Sequence, residues 1–263
     1  MRNNIALALA AAAAVCCYAS SVGEAFTAYS PDRKDQNENR SIAIFEASVN
    51  PRLPSVLILG DSISISYTLP VRRKLEGTAN VIRPVANCES TLKFLANLDG
   101  WLGQTKWAVI HFNAGLHDLA HVQEEGIAPG KQFLVPVEEG PRWVSVEAYR
   151  SNLKKIVERL KQTGARLIFA TTTPVPAGAR GRLPEDVARY NEAALAVMRE
   201  ADVEIDDLYS VAAKNAYLFQ RPHDVHFYQE GSEILAEQVA ASIRAPLGNW
   251  LDNSKAPFNS WLF

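Results

Sequence analysis

From Ser55 onward, short apolar runs alternate with longer mixed segments. The runs SVLILG, NVIRPV, WAVIHFN, ARLIFATTT and VEIDDLY have the length and apolar content of strands, the first reading as a buried one. Between the runs, apolar residues recur at helical spacing. Leu153, Ile156, Val157 and Leu160 mark one face of a helix over Val146 to Thr163, which Gly164 ends, and similar stripes predict helices over Pro184 to Ala201 and Glu230 to Ile243. Strands that alternate with helices predict parallel pairing through crossovers, because parallel neighbours cannot be joined by a tight hairpin. The expected fold is α/β: a three-layer α/β/α sandwich of the flavodoxin-like kind, with a central parallel sheet of about five strands.

One segment breaks the rhythm. Residues 124–145, EEGIAPGKQFLVPVEEGPRWVS, read as a loop or small hairpin inserted between the third strand and its helix. That position makes the insertion a wall for any site at the strand ends, with Trp143 as the aromatic residue to line the cleft. His111, inside WAVIHFN, reads as a core histidine.

The start of the chain has a different character. Arg2, the apolar run Ile5 to Val15 and the small residues around Ala19 and Ala25 predict a signal peptide over residues 1–25. The run is shorter than the ~20 residues that span a bilayer, so cleavage and export to the periplasm or medium are expected rather than a retained anchor. Acylation at Cys16 or Cys17 is the alternative. Residues 26–54 are polar and aperiodic and read as an extended lead-in, leaving 55–263 as the folded domain. Cleavage after Cys17 would leave Cys88 as the single cysteine, so no intramolecular disulfide is expected. Lys and Arg number 27 against 29 Asp and Glu, a formal charge of -2, and the basic residues form no stripe. That balance argues against a nucleic-acid partner.

Polar blocks fall where strands end: Ser62 in GDSIS, then NAGLHD (Asn113 to Asp118), then HDVHF (His223 to Phe227) before the last helix. In an open parallel sheet these ends converge. A serine hydroxyl needs a base to become a nucleophile, and His226 is the residue placed to serve, since an imidazole titrates near neutrality. An isolated Gly-Asp-Ser is equally good helix-cap chemistry; the ordered later blocks tip the reading toward catalysis. Asp61 reads as structural. His117 and His121 are four apart, but the histidines match no zinc motif with an accompanying acid, and neither metal nor cofactor is expected.

In this order the blocks resemble the SGNH (GDSL-type) hydrolase superfamily, from about Ser55 to Ile243. The resemblance implies a serine esterase with Ser62 as nucleophile and the Ser62 N–H among the oxyanion donors. It also implies an O-acyl ester substrate, such as acetate carried on a carbohydrate. Lipase, thioesterase or acyltransferase action on the same scaffold is the alternative, as is a non-catalytic carbohydrate-binding protein, for which Ser62 and His226 would stand apart.

The departures from the family pattern are specific. GLHD puts His117 where the family has its oxyanion asparagine, with Asn113 as a second candidate donor. ANCEST lacks the glycine of the second block, leaving the N–H of Cys88 or Glu89 for that role. The family's Asp-x-x-His would place the acid at position 223, which is His223; Asp224, Asp206, Asp207 or a backbone carbonyl is left to orient His226.

Overall fold

The computed structural model describes residues 49–254, so the predicted signal peptide, the cysteines of the alternative anchor and most of the lead-in lie outside the described residues. The order is β1 (Ser55–Leu59), α1 (Ser62–Lys74), β2 (Asn80–Ile82), α2 (Thr91–Leu102), β3 (Trp107–Phe112), α3 (Val146–Lys161), β4 (Arg166–Ala170), α4 (Asp186–Glu200), β5 (Glu204–Asp206), α5 (Leu208–Ala213), α6 (Ala216–Phe219) and α7 (Gln229–Ser254).

Every strand pairs in parallel, in the order β2-β1-β3-β4-β5. Helices α1 and α7 pack together on one face, and α2, α3 and α4 pack in succession on the other. This is the expected three-layer sandwich. The strand order reverses between β1 and β3, which opens a crevice at their carboxyl ends. Val56, Ile58, Leu59, Ile110 and Phe169 are wholly buried, which is why the strands read as continuous apolar runs.

The predicted helices form as α3, α4 and α7, with α7 continuing past Ile243 through Pro246. The short helices α5 and α6 were not legible as helices; α5 is held at its start by Asp207, whose carboxylate accepts from Ser210 N at 3.2 Å. The insertion contains no strand. It is a loop pinned by the isolated bridges His121 to Arg142 and Val122 to Leu134.

Trp143 does not line a cleft. Its side chain is buried and its indole N–H donates to the Ile127 carbonyl at 2.7 Å, so it is the core of the insertion rather than a surface for ligand. Among the described residues, no helix is long and apolar enough to cross a membrane.

Candidate active site

Chain direction changes sharply after β1. A Cβ on Gly60 would lie 2.9 Å from Ser64 Cβ, so the turn needs a glycine. Asp61 then caps α1, with Oδ1 accepting from Ile63 N at 2.9 Å. The capping is therefore done by Asp61 and not by Ser62. Ser62 is the first helical residue; its N–H has no partner among the described residues, and its Oγ lies 2.8 Å from His226 Nε2. Burial raises the Asp61 carboxyl, and the Ile63 N–H and the charges of Arg182, His226 and Arg83 only partly offset it.

His226 enters from the loop before α7. Its Nδ1 donates to Asp224 Oδ1 at 2.7 Å, and the same oxygen accepts the His226 backbone N–H at 3.2 Å. With Nδ1 carrying the proton, Nε2 is left to accept from Ser62. Burial alone would raise the Asp224 carboxyl. The His226 hydrogen bonds and the charges of His226 and Arg221 outweigh it and hold Asp224 ionised below the usual carboxylate range. The acid stands two residues from the histidine instead of three, and His223, in the third position, adopts the left-handed conformation at φ 59 just before it. The His223 ring points elsewhere, donating from Nδ1 to the Ala177 carbonyl at 2.8 Å.

Asp206 and Asp207 are occupied away from this cluster. Asp206 accepts from His111 at 2.9 Å and from Gln238 at 2.8 Å, inside the fold, while Asp207 caps α5 and takes the Thr171 hydroxyl at 3.0 Å.

The GLHD block follows β3. At Gly115 a Cβ would come within 2.0 Å of Thr172 Oγ1, so this loop is pressed against the end of β4. The His117 ring makes no hydrogen bond among the described residues and rests edge-on against Trp143, with centroids 6.4 Å apart. Burial, and then the charges of Arg182, Lys93 and His226, push the imidazole down to about 3, so it is neutral at ordinary pH and carries one free N–H. Asn113 Nδ2 donates to the Ala170 carbonyl at 2.8 Å and thereby ties the end of β3 to the end of β4. Asp118, also buried, takes the Thr91 N–H at 3.0 Å and the Thr91 hydroxyl, which couples this block to the start of α2.

In the ANCEST block, Glu89 adopts φ 52, the backbone conformation a glycine would supply. Both N–H groups expected to serve there have partners: Cys88 donates to Gly60 O at 3.1 Å and Glu89 to Asn87 Oδ1 at 3.0 Å. Arg182 and Thr91 were missed from the sequence. Arg182 donates to a backbone carbonyl, and Thr91 to a carboxylate far along the chain. Neither contact leaves a local pattern.

The family model described as GDSL-like Lipase/Acylhydrolase family matches residues 58–234. No curated protein sequence matches the chain. Among solved structures, a lipase/acylhydrolase from Enterococcus faecalis is similar at 18% identity and TM-score 0.59, covering 73% of this chain and 96% of its own. An acetyl xylan esterase is similar at 12% identity and TM-score 0.57, covering 72% of this chain and 99% of its own. A catalytic mutant of an acetylxylan esterase from Geobacillus stearothermophilus gives 13% identity and TM-score 0.56, covering 74% of this chain and 94% of its own. At these identities the likeness is one of fold.

Proposed function

Because the chain belongs to the GDSL-like lipase/acylhydrolase family and is a carboxylic ester hydrolase, we propose that it removes small O-acyl groups, acetyl foremost, from a carbohydrate through a Ser62 acyl-enzyme. The observation that carries this reading is the continuous chain from Ser62 Oγ to His226 Nε2 at 2.8 Å and from His226 Nδ1 to Asp224 Oδ1 at 2.7 Å. A non-catalytic binding protein gives no reason for that contact. In the reaction, Ser62 Oγ attacks the ester carbonyl as its proton passes to His226 Nε2. His226 then gives that proton to the departing alcohol. Water, deprotonated by the same imidazole, releases the acid. Asp224 holds the tautomer that leaves Nε2 free and stabilises the imidazolium while it exists.

The developing oxyanion is met by the Ser62 N–H at the start of α1, where the helix dipole adds to the hydrogen bond, and by the neutral His117 N–H. Asn113 has a structural bond to Ala170, so we assign it the bracing of the loop instead. The acetyl group and the carbohydrate are supported by the acetylxylan esterases among the similar folds. Export is supported by the leader of residues 1–25 alone. Acetate release from acetylated xylan and other acetylated polysaccharides, compared with longer aryl esters and with Ser62→Ala as control, tests the proposal. Ser62-dependent turnover confined to long acyl chains would make the protein a lipase or thioesterase, and undiminished turnover in Ser62→Ala would end the nucleophile assignment.

A further inference from the structure

Arg182 closes the loop that leaves β4, and no carboxylate among the described residues pairs with it directly. Its Nε donates to the Leu116 carbonyl at 2.7 Å and its Nη1 to the Arg180 carbonyl at 3.3 Å. Nη2 has no partner, and the guanidinium forms no ion pair among the described residues. The nearby buried acid Asp186 is taken by Arg142 in a two-pronged bond at 2.8 and 2.7 Å. Arg182 is therefore a partly buried cation bound only to carbonyls. Burial brings its guanidinium down to about 10, against the pull of Asp61 and Asp224. A desolvated charge costs stability unless something pairs with it.

The loop is braced on two sides. His121 N donates to Gly181 O at 2.7 Å, and a Cβ on Gly181 would lie 2.8 Å from the Val135 carbonyl, so the insertion packs directly on it. From the other side, Gln220 Nε2 donates to Pro174 O at 2.7 Å and His223 to Ala177 O at 2.8 Å. Those contacts come from the segment that carries Asp224 and His226. Arg182 is anchored on the Leu116 carbonyl of the GLHD block, in a loop whose earlier residues Pro174 and Ala177 touch the segment that carries the histidine. Asp61, His117 and Asp224 all feel its charge. A fixed cation thus lies against the GLHD block, within electrostatic reach of Asp61 and Asp224.

We propose that Arg182 is an anion subsite for substrate, and that the ester is carried on an acidic sugar whose carboxylate the guanidinium receives. The planar fork of an arginine matches a carboxylate in two parallel bonds, and its uncommitted Nη2 edge is available for one. The assignment rests on the carbohydrate-esterase reading above.

The test uses O-acetylated glucuronic acid and the methyl ester of the same compound, which differ in charge and hardly in shape. Acetate release by the whole enzyme is expected to show kcat/KM at least ~10-fold higher for the acid, in line with one charge-assisted pair. In Arg182→Gln that ratio should fall to about one, and in Arg182→Lys part of it should survive, because the charge remains and the fork is lost. Added salt should erode the wild-type ratio. Equal rates on both compounds, or a loss in Arg182→Gln that is the same factor for both, overturns the subsite and leaves the esterase reading standing. Arg182 would then only hold the GLHD block. Ser62-dependent hydrolysis of aryl acetate with acetate released from neither sugar would overturn the carbohydrate reading and the subsite together.

Discussion

In the mechanism proposed above, two histidines divide the chemistry of the site by what surrounds them. His226 has a carboxylate on one ring nitrogen and a hydroxyl on the other, so it can take a proton and hold it. His117 is pressed down to about 3 by burial and by neighbouring cations, so at ordinary pH it is neutral and keeps one N–H to donate. Asp224→Asn is expected to lower kcat by ~10³-fold or more with little change in melting temperature, because the amide would favour the wrong imidazole tautomer. Near-normal turnover in that variant would leave a Ser-His dyad. His117→Ala is expected to lower kcat by ~10²-fold with KM little changed, since the bond strengthens only as charge builds on the oxygen. His117→Asn should recover a good part, because an amide also donates. If asparagine restores nothing while alanine lowers the melting temperature, the imidazole only fills space beside Trp143.

Elements meet at these residues, and the meeting has a pH signature. Asp118 joins the loop after β3 to the start of α2 through Thr91, and burial lifts its carboxyl from 3.8 to about 7 against the Thr91 bonds. A carboxyl raised in the fold keeps a proton that the unfolded chain has lost, so its stabilisation is full below pH 3.8 and drains away as pH rises to about 7. His117, lowered from 6.5 to about 3, does the reverse: its contribution is full above pH 6.5 and is lost as pH falls to about 3. In the shared window the slopes oppose each other. For these neighbours taken together, stability should be nearly flat between about pH 4 and 6.5. Asp118→Asn should uncover a rise of stability with pH there, and His117→Asn a fall, each by up to about 1.4 kcal/mol per pH unit. Urea titrations across that range read the slopes directly, and parallel slopes in the two variants would contradict the opposition. Little of this pairing was legible beforehand. The strands were, because residues such as Ile58 and Phe169 are buried on both sheet faces and write an unbroken apolar run. The GLHD and DVHF blocks were, because strand ends converge. What escaped are features of the backbone: the left-handed turn at His223 beside the acid, and the carbonyls that hold Arg182.

Across the whole molecule, the same side-chain pair appears in two settings. His226 and Asp224 are partly exposed and join at 2.7 Å at the crevice, whereas His111 and Asp206 join at 2.9 Å with neither side chain exposed at all. The buried pair links β3 to the end of β5, and Gln238 and Ser242 of α7 add bonds to the same carboxylate at 2.8 and 3.2 Å. Burial would raise Asp206, but the His111, Gln238 and Ser242 bonds prevail and keep it low, so its stabilisation is present above pH 3.8 and is lost only in more acid solution. Removing Asp206 leaves His111, Gln238 and Ser242 without their acceptor in a dry interior, and a buried polar group left unpaired costs about 1–3 kcal/mol. Asp206→Ala is therefore expected to lower the urea midpoint sharply while the folded enzyme, assayed well below its melting temperature, keeps nearly normal kcat. Asp224→Ala should do the opposite, sparing the midpoint and removing turnover. Measuring both quantities on both variants separates the roles, and a large loss of kcat in Asp206→Ala at an unchanged midpoint would mean that the interior pair, too, reaches the reaction.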